Sequence, residues 1–172
     1  MQMHFKVDPK DLDKLTFDNF FDADLAGCQE TKKSTSGWCG FLEGPNTHAL
    51  VGANAKRQGA TSISTPEAEV LSGVVAAKKS IRLHMLLNRL LGRRIRLKYR
   101  GDNAPADKIL GSGISQAIAY AKRTQGISLA FASENMSPYL EKVDTHYNTA
   151  DIFTKPLPYE DFHRHRTYLG IW

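Results

Sequence analysis

Ser64-Thr65-Pro66-Glu67-Ala68-Glu69-Val70-Leu71 opens the stretch that decides the fold, and Val74, Val75, Ile81, Met85 and Leu90 continue it to Gly92. The apolar positions fall mostly at steps of three and four, the spacing of one face of a helix. Ser64 or Thr65 supplies an N-cap, Pro66 fits the first turn, where an absent N–H leaves nothing unpaired, and Gly92 stops the run. A helix from Pro66 to Leu91 would be about 39 Å long at 1.5 Å per residue, enough to cover one face of a sheet. The period then changes. From Arg94 to Arg100, Ile95, Leu97 and Tyr99 alternate with Arg94, Arg96, Lys98 and Arg100, which predicts a strand with one basic face.

Upstream, Phe17, Phe20 and Phe21 favour a short strand over 17–21, interrupted by Asp18 and Asn19 and ending at the acidic turn Asp22-Ala23-Asp24. Ser36-Gly37 leads into a second strand, Trp38 to Leu42. Gly44-Pro45-Asn46 is a hairpin signal, and His48 to Ala55 returns as a third strand. Residues 1–16 alternate charges around Asp8-Pro9 and read as a connecting arm, leaving 17–172 as the domain. Downstream, Asp102-Asn103 opens a short helical segment ending near Gly111-Ser112-Gly113. A weaker helix follows over Ser115 to Ala132, broken by Gly126, then a last strand over Leu140 to Val143. A helix or turn begins at Asp151 before Pro156 and Pro158, and a helix closes the chain. This order predicts an α/β domain: a mixed sheet with helices packed on it.

At 172 residues and 41% hydrophobic, the chain has the size and composition of one globular domain, not of a disordered segment. No apolar run reaches the roughly 20 residues that a membrane span needs, and residues 1–6 lack an apolar export signal, so an intracellular site, cytoplasmic or nuclear, is expected. Cys28 and Cys39 are too few for a disulfide framework and lack zinc-site spacing, so both read as reduced thiols. The net charge of +5 is uneven: residues 1–50 carry 5 Lys/Arg against 8 Asp/Glu, and the remainder carries the whole basic surplus. Such a distribution suits a protein that holds a polyanion while reserving carboxylates for another task, although solvated surface explains charge equally well.

Four acidic residues fall at the ends of predicted elements: Asp22, Glu69, Asp102 and Asp151. Singly, each has a structural explanation, as a turn residue, a helix-start glutamate or an N-cap. Together they suggest a site, because strand ends in a mixed sheet converge and clustered carboxylates repel unless divalent cations offset them.

The wording of the sequence then adds to its pattern. Asp22-Ala23-Asp24-Leu25-Ala26-Gly27, Ser34-Thr35-Ser36-Gly37-Trp38, Lys56-Arg57-Gln58, Ser64-Thr65-Pro66-Glu67-Ala68-Glu69, Asp102-Asn103 and Ala150-Asp151-Ile152-Phe153-Thr154-Lys155-Pro156-Leu157 closely resemble, in order and spacing, the ribonuclease H domain of copia-type retrotransposon polyproteins. The resemblance runs from about Phe21 to Leu157. It implies a ribonuclease H-like fold, a five-stranded mixed sheet flanked by helices, with the first three strands antiparallel. It also implies an endonuclease that hydrolyses the RNA strand of RNA/DNA hybrids, with Asp22, Glu69, Asp102 and Asp151 as catalytic residues and metal ligands. Glu67 and Asp24 are the near-neighbour alternatives to Glu69 and Asp22. The implied cofactor is a pair of Mg²⁺ ions, with Mn²⁺ as a substitute, and the implied partners are the hybrid and a reverse transcriptase domain.

Other positions are less distinctive. His146, five residues before Asp151, stands where related ribonucleases H can carry a proton-shuttling histidine. Lys122 and Arg123 are candidate phosphate contacts, and the basic strand Arg94 to Arg100 could line a nucleic-acid groove or simply snorkel. The family's Val-Pro before the last acidic motif is here Val143-Asp144, which puts the setting of that loop in doubt. The chain is too short to include a reverse transcriptase, an integrase and a protease. A fragment, a processed unit and a degenerate genomic copy all fit that length, and the rival expectation for function is a catalytically inactive remnant that folds and binds nucleic acid or a reverse transcriptase.

Overall fold

The computed structural model describes residues 2–172, which form one five-stranded mixed sheet with helices on both faces. The strands are β1 (Thr16–Asp24), β2 (Thr35–Glu43), β3 (His48–Arg57), β4 (Arg96–Gly101) and β5 (Leu140–Lys142). Their order is β3-β2-β1-β4-β5. The first three pair antiparallel, whereas β1–β4 and β4–β5 are parallel. The long helix α1 (Thr65–Leu91) makes the crossover from β3 to β4.

β1 runs through Asp18 and Asn19, where the sequence suggested an interruption, because neighbouring groups satisfy both side chains. Asn19 donates to the Phe17 and Lys98 carbonyls and accepts from the Trp38 indole N–H at 3.1 Å. Asp18 accepts from Arg100 of β4 at 2.9 and 2.7 Å. Alternation along β1 divides the core. Phe17 and Phe21 face α1 with Trp38, Val70, Val74 and Tyr99, and Phe20 faces the opposite layer with Cys39, Phe41, Ala150 and Leu169.

α1 begins where expected. Ser64 accepts from the Glu67 N–H, and Gly92 ends the helix in the left-handed conformation. Its burial is not uniform, however: Val70, Leu71 and Val74 are buried, but Met85 and Leu90, expected on the same apolar face, are exposed. The cause is facing: Ile81, Leu83, Leu87 and Leu91 keep the second half of the helix packed against the core, and Met85 and Leu90 lie off that side.

α2 (Ala104–Ser112) follows Asn103 and ends at Gly113, as expected. The single helix expected over Ser115 to Ala132 is instead α3 (Ala121–Gln125) and α4 (Leu129–Met136), separated at Gly126 with φ +65°. α5 (Tyr159–Tyr168) packs on the second face. Residues 2–6, expected as part of an arm, lie against the body: Met3 bridges Ile171, Lys6 bridges His48, and the Gln2 and Trp172 backbones exchange hydrogen bonds of 3.0 Å. The basic side of β4 is balanced from within the sheet. Arg100 pairs with Asp18 at 2.7 Å, and Glu141 of β5 lies 3.5 Å from both Lys98 and Arg100.

Candidate active site

Parallel pairing of β1 with β4 brings Asp22, near the end of β1, beside Asp102, the residue after β4. The 3-10 turn Thr149–Phe153 delivers Asp151 to the same place. One carboxylate oxygen from each of the three lies within 4.8 Å of the others. Asp22 and Asp151 are buried and Asp102 is half-buried. The capping explanation for Asp102 and Asp151 fails, because Asn103 caps α2 by accepting from Ala106 at 3.0 Å, and Asn148 caps the turn by accepting from Ala150 at 3.3 Å. Both aspartates are therefore free for another role.

Glu69 lies in the first turns of α1, buried, and senses both Asp22 and Asp102. Burial first, and then those two charges, push its carboxyl up to about 10. The same forces act on its neighbours. Asp151 is pushed to about 7 by burial and by Asp22, against the pull of Lys155. Asp102 is raised by burial and Asp22, against a hydrogen bond from Thr145. Asp107 of α2, next outward, reaches about 6 through burial and the Asp102 charge. A site that strains to hold its own negative charge is one that a cation would relieve.

Within the cluster the relief comes from Lys155, whose Nζ lies 2.9 Å from Asp151 Oδ2 and 3.8 Å from Asp22 Oδ2. Thr154, just before it, donates its hydroxyl to Asp22 and lies 3.0 Å from the Asp151 carbonyl. Gly37 lets this turn dock. A Cβ there would stand 2.6 Å from Thr154 Cγ2 and 2.7 Å from the Ala150 carbonyl oxygen. The quoted motifs contained Lys155 and Thr154, but nothing local marked them for roles. Only the four-residue step from Asp151 to Lys155 hinted that their side chains meet.

The alternatives lie elsewhere. Glu67 is fully buried, and its Oε2 accepts from the Ile63 N–H and the Tyr120 hydroxyl at 2.7 Å each, so it ties down the loop before α1. Asp24 is half-buried at the end of β1, raised by burial and opposed by Lys155, and is outside the group of three. His146 is 73% exposed, with its ring 3.9 Å from Asp161 of α5. Lys122 and Arg123 lie exposed on α3, away from any ion pair among the described residues.

No family model matches the chain. It is 25% identical over 158 residues to the retrovirus-related Pol polyprotein from transposon TNT 1-94 of Nicotiana tabacum, a match covering 88% of this chain and 11% of the polyprotein. The chain thus spans about a tenth of that relative's length. Among solved structures, RNase H1 from the halophilic archaeon Halobacterium salinarum NRC-1 superposes with a TM-score of 0.53 at 14% identity, covering 81% of this chain and 94% of that one. The compost-derived LC11-RNase H1 is also 14% identical, with a TM-score of 0.46. The five-stranded sheet and its helices are therefore a ribonuclease H-like fold, and the sequence is similar to a segment of a retrotransposon polyprotein. No described helix is long and apolar enough to cross a membrane.

Proposed function

We propose, from a ribonuclease H-like fold carried by a retrotransposon-like sequence, that the chain hydrolyses the RNA strand of RNA/DNA hybrids by two-metal-ion catalysis during retrotransposon reverse transcription. The observation that carries the reading is the meeting of Asp22, Asp102 and Asp151, with Asp151 Oδ1 buried and without a hydrogen-bond partner. An unpartnered carboxylate oxygen among raised carboxyls is a ligand position. The donors are hard oxygens, which suit Mg²⁺ or Mn²⁺ and not Zn²⁺. Asp22, Glu69, Asp102 and Asp151 would hold the ions.

When bound, two such ions lower the pKa of the attacking water and stabilise the leaving 3′ oxygen. The chain itself prepares the site. Thr154 fixes the Asp22 carboxylate, and Lys155 holds Asp22 and Asp151 together. Preference for RNA would come from contacts to the 2′-hydroxyl beside the cut bond. His146, exposed at the neighbouring turn, is the candidate proton shuttle.

The test is incubation of purified protein with end-labelled hybrid and Mg²⁺, alone and with a reverse transcriptase domain added in trans. Cleavage of the hybrid's RNA strand that stops in EDTA is expected. Equal cutting of single-stranded RNA rejects the hybrid-specific reading, and no cutting in either arrangement rejects hydrolysis and leaves a non-catalytic fold.

A further inference from the structure

On the outer flank of the sheet, α1 leaves the edge strand β3 partly uncovered. The gap is a cleft of about 430 Å³ with Leu71 and Val74 in its wall and Lys56, Arg57, Lys78 and Lys79 around it. All four cations are exposed, and among the described residues none is in an ion pair. No carboxylate lines the cleft. The contrast with β4 is informative, because Asp18 and Glu141 balance the basic residues there. The cleft is a concave basic surface without such balance, and its charge is available to an anion.

Its position relates it to the carboxylates. The register Asp22–Gly37–Ala55 runs straight across β1, β2 and β3, and Lys56 is the next residue after Ala55. Two strand spacings place the backbone of Lys56 about 10 Å to the side of the Asp22 row, with its side chain on the α1 face of the sheet. Lys78 and Lys79 follow Glu69 along α1 by nine and ten residues, about 14 Å down the helix axis, with Lys78 half a turn around the helix from it. At 3.4 Å of rise per nucleotide, that distance is about four nucleotides.

We propose that this cleft binds the sugar-phosphate backbone of an RNA/DNA hybrid, as a track leading from the carboxylate site along the β3 edge and α1. Naming the hybrid rests on the function proposed above. The presence of a phosphate track does not. Cations in such a track contribute through counterion release, so each lost phosphate contact lowers the steepness of the salt dependence by about one.

The experiment measures binding of labelled hybrid, single-stranded DNA and single-stranded RNA in EDTA over a range of salt. It compares the wild-type chain with Lys78→Gln/Lys79→Gln, with the charge-keeping Lys78→Arg/Lys79→Arg, and with Lys10→Gln/Lys14→Gln as a charge-matched control. The Gln pair in the cleft is expected to weaken hybrid binding about tenfold at low salt and to flatten the log–log salt slope by about two. The Arg pair should retain wild-type binding, which shows that the helix is intact. Hybrid binding by the cleft pair indistinguishable from the control overturns the proposal, as does a loss confined to the single strands. Cleavage is scored separately in Mg²⁺. Cleft-dependent binding without cleavage removes the hydrolase reading and keeps the track, whereas cleavage with no cleft effect does the reverse.

Discussion

Asp102 carries a charge whose cost is visible in its neighbours, since it helps to raise both Glu69 and Asp151. A carboxyl held above its unfolded value binds its proton more tightly in the folded state, so stability is greatest at low pH. It falls as pH rises from about 4 through the folded value, near 7 for Asp151 and near 10 for Glu69. Metal-free protein should therefore melt several degrees lower at pH 8 than at pH 5. His165, held below its ordinary value by burial, works the other way near neutrality, so the slope is best judged against a variant. Asp102→Asn loses no cap, because Asn103 holds that position. It should flatten the slope, with a gain of ~1 kcal/mol at pH 8 reading as a melting point ~2–4 °C higher, while abolishing Mg²⁺ binding and cleavage. A lower melting point at pH 8, or full cleavage, removes Asp102 from the site. Lys155 makes the complementary case. Lys155→Met preserves bulk but leaves Asp22 and Asp151 without their cation, and thermal melts in EDTA should show a loss of about 1–2 kcal/mol, discounted because part of the side chain is exposed. Added Mg²⁺ should stabilise this variant more than it stabilises the wild type.

At the scale of elements, the docking of the Thr149–Phe153 turn onto β2 depends on the absence of a side chain at Gly37. Gly37→Ala forces that turn and Thr154 outward, so it should cost about 1–3 kcal/mol, as overpacking does, and lower cleavage through displacement of Asp22. An unchanged melting curve and rate would show that the turn has room to move. The sequence made α1 legible because its caps, period and stop all agree, and β2, β3 and β4 followed from alternation and turn residues. It was less informative where distant partners decide. Asp18 and Asn19 looked like breaks because Arg100 and Trp38, their partners, lie far away in the chain. Which side of the second half of α1 packs could not be read from its period, because apolar residues lie all round it there. The candidate carboxylates were legible as acids at element ends, whereas Lys155 resembled any solvated lysine until the turn showed where its Nζ goes.

For the whole molecule, the carboxylates of Asp22, Asp102 and Asp151 meet only when three distant stretches of chain are in place, and β1 pairs with β4 across the entire α1 crossover. Such long-range parallel pairing closes slowly, because loop entropy is lost before the contacts form. A cation that needs all the carboxylates at once has little to hold in a half-formed chain. Stopped-flow chevrons with and without Mg²⁺ should then share one refolding limb, while the unfolding limb drops by the full binding free energy. A faster refolding limb would instead mean that the carboxylates meet before the sheet is complete. If the limbs divide in this way, the divalent ion governs how long the native chain persists and has no part in how it is reached, and a chelator would shorten the lifetime of the folded protein without altering its route.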